Sequence, residues 1–175
     1  LGNTDPKKNT PGTLKAYAEY VRRSEKPLPL LIADLGEQPA EAILREIGEP
    51  RLRGMLRLAG YIPNSDLPAI YNRASAFLYT SLRESFGIPQ LEAMACGTPV
   101  VTSATSAIPE VAGQGAILVD PTDPTAIADA LLRLETDAEF RAGQVAYGLE
   151  RVKQFSWEKT ARHLLALYES LGKTN

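Results

Sequence analysis

The chain alternates between two hydrophobic periods. Short, unbroken apolar runs recur at residues 28–33, 55–59, 76–80, 99–102 and 116–119, each of strand length and bounded by turn-forming residues. Leu1-Gly2 reads as the tail of one more strand whose beginning is absent. Between the runs, apolar side chains fall at helical spacing. Leu14, Tyr17, Ala18 and Val21 share a face, with Thr10 as N-cap and Pro11 as first helical residue, over a helix to about Ser24. Ala40, Ile43, Leu44 and Ile47 share another over residues 39–53, with Gly48 and Pro50 clouding its end. Leu67, Ile70 and Tyr71 mark a short helix capped by Asn64 or Ser65. Strands that are apolar on both faces and alternate with helices predict an α/β, Rossmann-like fold. The sheet is mostly parallel and six-stranded, with right-handed crossovers and helices on both faces. Beyond residue 120 the strand signal stops. Asp123 caps a helix with Ile127, Ala130, Leu131 and Leu134 inward, and residues 137–152 form the next. Ser156-Trp157-Glu158 opens the last, with Ala161, Leu164, Leu165, Leu167 and Tyr168 on its apolar side and Trp157 as a core or docking aromatic. The expected organisation is a single domain, 1–175, with residues 1–120 alternating and 121–175 as a helical tail.

The most informative stretch lies between the fourth and fifth strands, running from Arg83-Glu84-Ser85-Phe86-Gly87-Ile88-Pro89 to Gly97-Thr98-Pro99-Val100-Val101. It reads as strand, loop, short helix, strand. Gly87 lets backbone approach a ligand closely, Pro89 suits the first turn of a helix, and Gly97 suits its end. Free N–H groups at the start of that helix favour an anion. Glu84 in the loop and Glu92 on the helix are carboxylates able to accept two sugar hydroxyls each. The residue pattern alone leaves open a plainer reading, with Glu84 as a solvated loop charge and Glu92 as a helix-dipole carboxylate. Ligands of such sheets lie beyond the C-terminal ends of the strands, where Lys8, Tyr61 and the Glu84 loop all fall.

Glu84 to Glu92, with Phe86-Gly87-Ile88-Pro89 between and Leu91-Glu92-Ala93-Met94-Ala95-Cys96-Gly97-Thr98-Pro99 onward, resembles the E-x7-E signature of retaining glycosyltransferases of the GT-B fold, family four. The rest of the chain is similar to that family's C-terminal, donor-binding domain. The resemblance implies one half of a GT-B fold, with an N-terminal acceptor domain absent from this chain. It implies a nucleotide-diphosphate-sugar donor whose diphosphate lies near the backbone of Ser85, Phe86, Gly87 and Ile88, opposed by Lys8. Glu92 then holds the ribose, Glu84 faces the transferred hexose as the catalytic carboxylate, and Tyr61 and Ile62 lie at the base. The residues themselves leave Tyr61 and Ile62 open to ordinary packing, and Lys7 and Lys8 to solvated turn charges. Asn3 departs from the pattern. The family carries an arginine there, whose fork grips phosphate oxygens in pairs, whereas asparagine supplies no charge; Lys7 is the candidate substitute. The implied reaction is metal-independent hexose transfer to a glycan or lipid-linked acceptor, in the manner of surface-polysaccharide assembly, with no cofactor beyond the donor.

Composition narrows the alternatives. A length of 175 residues suffices for one domain with a core, and a net charge of −2 without a basic block argues against nucleic acid. No run approaches the roughly 18 apolar residues of a membrane span. A cytoplasmic place follows as the default, peripheral to the inner face of the plasma membrane at most. The single cysteine, Cys96, permits no internal disulfide and reads as a small buried hydrophobe, and the lone His163 carries no role. A glycoside hydrolase would need its carboxylates close about one bond, and a dehydrogenase a Gly-x-Gly-x-x-Gly turn that is not present. Two further readings stay open: a nucleotide-sugar-binding module without catalysis, and an assembly surface on the last helix.

Overall fold

The computed structural model describes residues 3–172. The elements are α1 (Thr10–Arg23), β1 (Leu30–Ala33), α2 (Glu37–Glu46), β2 (Leu56–Gly60), α3 (Leu67–Arg73), β3 (Phe77–Tyr79), α4 (Ile88–Ala95), β4 (Val100–Ser103), α5 (Ile108–Ala112), β5 (Ile117–Val119), α6 (Pro124–Thr136), α7 (Ala138–Val152) and α8 (Trp157–Gly172). Every strand pair is parallel, as the α/β alternation predicts. Five strands form among the described residues, where six were expected; the sixth was placed on Leu1-Gly2, outside the described residues. They make two blocks rather than one sheet, β1-β2 and β3-β4-β5.

Three buried clusters cover the strand faces. Leu14 and Tyr17 of α1 pack with Ile32, Leu44 and Leu56; Val101 and Val119 pack under Ile127 and Leu134 of α6; and Tyr71, Met94 and Val100 form the third. Leu14, Val100, Val101 and Ile127 are wholly inaccessible to solvent, so each contributes the full transfer energy of an apolar side chain, about 1.5–3 kcal/mol.

Local chemistry sets the boundaries, and it corrects several expectations. α1 is capped by Asn9 rather than Thr10; Thr10 is its first residue and turns its hydroxyl inward to the Asn3 carbonyl, 2.6 Å away. The helix expected over 39–53 is two pieces. α2 starts earlier, at Glu37, and stops at Glu46, because Gly48 adopts a left-handed φ of 78° and Pro50 begins a separate 3-10 segment, Pro50–Met55. α3 is capped by Asp66, not by Asn64 or Ser65, and without a side-chain cap bond. Asp123 caps α6 as its sequence position suggests, accepting from the N–H groups of Thr125 and Ala126. α8 buries none of its residues, and Trp157 is 82% exposed, which rules it out of the core. Cys96 is only half-buried; burial and the Glu92 charge together push its thiol pKa up, leaving an unreactive sulfur.

Candidate functional site

Three loops meet at the C-terminal ends of the strands. One is the 3-10 turn Pro6–Lys8 ahead of α1; the second joins β3 to α4 and carries Glu84; the third joins β4 to α5. Hydrogen bonds tie them together. Leu82 N–H donates to the Lys7 carbonyl at 2.7 Å. Ser103 and Thr105 hydroxyls donate to the carbonyls of Ser81 and Leu82. Ser106 grips Glu84 through its backbone, donating to its carbonyl at 2.7 Å and accepting from its N–H at 3.3 Å. Ser106 does so at a φ of 60°, an uncommon conformation for a residue with a side chain.

The charged centre of this meeting is Lys8 and Glu84. Their side chains, 76 positions apart in sequence, form an ion pair at 2.6 Å and are four-fifths or more buried. Lys8 Nζ also stands 5.6 Å from the centre of the Tyr79 ring. Burial by itself pushes the Glu84 carboxyl pKa up. Hydrogen bonds from Lys8, Tyr79 and Ser81 outweigh it, so the carboxyl lies below its usual range and is ionised at neutral pH. Tyr79 responds in the opposite sense: burial, then the adjoining Glu84 carboxylate, hold its phenol protonated and donating.

The sequence missed the residue that binds these loops most broadly. Asn9 takes a left-handed φ of 55° and, instead of capping α1 with its side chain, spans two loops. Its amide donates to the carbonyls of Thr80, at 3.1 Å, and Pro121, at 2.8 Å. Thr13, one turn into α1, shares a 2.7 Å hydroxyl–hydroxyl bond with Thr80. Gly12 permits this arrangement, since a Cβ there would stand 2.3 Å from Asn9 Oδ1. A sequence signal existed, an asparagine just before a helix start, but it reads equally as an ordinary cap.

The helix after the loop is set by Gly87. Its φ of 86° and the 2.9 Å between a would-be Cβ and Gln90 Nε2 both demand glycine. Gln90 is wholly buried behind it and donates to the Phe86 carbonyl at 3.3 Å. The exposed side of the loop carries Ser85, Phe86 and Ile88, and the Phe86 ring meets Phe155 edge-on at 5.7 Å. Further along α4, Glu92 accepts from the Tyr71 hydroxyl at 3.3 Å. It lines a cavity of about 250 Å³ with Ala33, Tyr61, Ile62 and Ile88. The sequence-derived candidates thus separate into two neighbouring groups on the two ends of one loop-helix unit. Lys8 and Glu84 form the charged group; Tyr61, Ile62, Ile88 and Glu92 form the cavity group. Tyr61 is 79% exposed at the cavity rim. Asn3 joins neither group through its side chain, which accepts from Asp5 N–H at 2.9 Å within its own turn. Lys7 likewise turns to Asp5, at 3.2 Å, and stays exposed.

Such an arrangement can hold an anion at the start of α4, where the first N–H groups lack intrahelical acceptors and Lys8 supplies positive charge. Beside it, two carboxylates offer acceptors for hydroxyl groups on either flank.

Comparison with known proteins bears on these features. The family model described as glycosyl transferases group 1 matches residues 1–151. O-antigen chain mannosyltransferase B of Escherichia coli is 35% identical over 171 residues, 98% of this chain but 45% of that protein. Sucrose-phosphate synthase from Thermosynechococcus elongatus superposes with a TM-score of 0.81 at 27% identity, over 100% of this chain and 45% of that one. Anabaena HepE, solved in complex with UDP, superposes with a TM-score of 0.82 at 18% identity, covering 97% of this chain and 47% of its own. The chain therefore spans a little under half the length of these relatives.

Proposed function

The chain belongs to the glycosyl transferases group 1 family, and from that membership we propose that it is the nucleotide-sugar-binding half of a retaining hexosyltransferase of the GT-B fold. The observation that carries the reading is the pairing of Lys8 with Glu84 at the start of α4, with Glu92 in an adjoining cavity on the same helix. In this reading the donor's diphosphate lies along the amides of Ser85, Phe86, Gly87 and Ile88, with Lys8 swinging from Glu84 to the phosphate. Glu92 accepts from the ribose hydroxyls, and Tyr61 and Ile62 flank the base. Glu84, released from Lys8, accepts from the transferred hexose and fixes its anomeric carbon.

As the glycosidic bond breaks, negative charge grows on the leaving diphosphate. Fixed N–H dipoles and an ammonium aimed at that charge stabilise the transition state more than the ground state. The same groups supply this stabilisation without a metal ion. Asn3 stands where the family's arginine is expected, so in this site the phosphate charge falls to Lys8 and the helix start, with Lys7 in reserve. Mannose is the hexose best supported, because the bacterial relative at 35% identity is named a mannosyltransferase. A UDP complex of a protein sharing the fold supports a nucleoside diphosphate as ligand class. The acceptor, a glycan or lipid-linked sugar, is assigned to an N-terminal domain of the longer protein, acting in the cytoplasm or at the inner face of the membrane. Among the described residues no helix is long and apolar enough to cross a membrane.

Calorimetric titration with UDP, GDP and ADP and their hexose forms tests this. One diphosphate should bind saturably, Glu92→Ala should weaken it about tenfold, roughly 1.4 kcal/mol, and this chain alone should transfer no sugar. Equal affinity of wild type and both Glu92→Ala and Lys8→Ala for every nucleotide would overturn the reading.

A further inference from the structure

The contact between β3 and β4 does not stop where the two strands end. Thr102, opposite Tyr79 in the strand register, donates its hydroxyl to the Tyr79 carbonyl at 2.8 Å. Beyond that point side chains carry the contact on. Ser103, Thr105 and Ser106 donate hydroxyls in turn to the carbonyls of Ser81, Leu82 and Glu84, at 2.6, 3.2 and 2.7 Å. The four hydroxyls make a ladder. It rises from the core, where Thr102 and Ser103 are wholly buried, to the surface at Ser106.

The last rung differs from the others. Ser106 Oγ donates to the Glu84 carbonyl and also accepts from the Glu84 N–H, at 3.3 Å. These two groups belong to the peptide units on either side of the Glu84 Cα. One hydroxyl therefore fixes both, and with them the direction in which the side chain leaves the backbone. The residue that does this is itself strained. Among the described residues, positive φ is taken by five glycines and by Asn9, Asp34 and Ser106. Asparagine and aspartate tolerate that region through short side chains that bond locally, and serine is the type out of place. Glycine would adopt the same φ freely, but it has no hydroxyl. Backbone strain of this kind persists where the surroundings hold it, and it clusters at functional sites.

We infer that Ser106 is a positioning residue for Glu84: its hydroxyl fixes the main chain on both sides of the Glu84 Cα and so aims the carboxylate at the transferred hexose. This deepens the donor reading and rests on it for the hexose. In that reading Lys8 leaves Glu84 for the diphosphate, and the carboxylate loses its 2.6 Å partner. The hold of Ser106 is on the backbone, so it survives that departure. Stability and function then depend on residue 106 in opposite senses, since glycine relieves the strain and loses the aim.

Ser106→Gly and Ser106→Ala, made in this chain, test the inference. Both remove the hydroxyl, and only glycine also relieves the backbone. The measurements are Tm, exchange of the Glu84 amide followed by NMR without ligand, and calorimetric affinity for UDP, GDP and ADP beside UDP-glucose, GDP-mannose and ADP-glucose. Ser106→Gly should hold or raise Tm, and Ser106→Ala should melt below it. Both should quicken exchange at Glu84 about tenfold, on the scale of one lost hydrogen bond, while Thr102 and Ser103 keep their rates. Both should bind the bare diphosphate as wild type does and lose the added affinity that the hexose brings. Unchanged exchange at Glu84, a lower Tm in Ser106→Gly with quickening throughout β4, retained hexose affinity, or an equal loss for diphosphate and sugar form would each overturn the inference. Wild type that binds no nucleotide would overturn the donor reading instead, and exchange at Glu84 would still decide whether Ser106 fixes it.

Discussion

At the scale of single residues, the site depends on a few side chains whose conformation or charge is set by distant neighbours. Glu84 has a carboxyl pKa lowered in the folded state, so it contributes stability above the unfolded carboxylate value of about 4.3, and that contribution fades as pH falls through the folded value. Lys8 is its nearest counter-charge. Lys8→Met should therefore flatten the fall of Tm between about pH 5 and pH 3 relative to wild type, as read by thermal unfolding across that window. A steeper fall in the variant would contradict this assignment of the pair. Gly87→Ala forces a side chain into a left-handed conformation and against Gln90, at a cost of about 1–2 kcal/mol before any contact is counted. Tm should drop by several degrees, and nucleotide binding should weaken further than stability does, because the loop before α4 moves. Asn9 shows why part of the site was not legible. Its two carbonyl partners, at residues 80 and 121, are nowhere near it in the chain.

At the scale of elements, sequence signals worked where local rules decide and failed where packing does. The N-cap at Asp123 and the central loop-helix unit follow from residue chemistry within a turn or two. The break between α2 and the 3-10 segment followed from Gly48 and Pro50, but the apolar face continues across it, and periodicity alone carried the helix too far. One contact between elements has a mechanical consequence. Phe86 of the central loop packs edge-on against Phe155 beyond the end of α7, and Arg151 lies 5.0 Å from the same ring while donating to the Val111 carbonyl at 2.9 Å. The junction of α7 and α8 thus holds the loop before α4 and the end of α5 together. Phe155→Ala should remove an aromatic pair whose geometry contributes about 0.5–1.5 kcal/mol beyond its buried area. Amide exchange across residues 83–87 should quicken more than across β4. Uniform quickening would show only a general loss of stability.

At the scale of the whole molecule, the cores lie in the first seven helices and the strands, while α8 stands apart. Leu164, Leu165, Leu167, Tyr168 and Leu171 are each about half exposed or more. Deleting residues 157–175 should leave Tm within about 2 °C of wild type, since little apolar area leaves the core; a large drop in a thermal melt would mean that α8 supports the domain. The sequence by itself determined the α/β class, the parallel strands, most element positions and the loop-helix unit with its two carboxylates, because periodicity, caps and glycine conformations act over a few residues. The tertiary structure alone decided which charges meet. It brought Lys8 onto Glu84, gave Tyr61 and Ile62 a cavity with Glu92, and turned Asn3 and Lys7 aside to Asp5. These are matters of how separate loops converge at the ends of strands, and no local pattern encodes the distance between residues 76 positions apart.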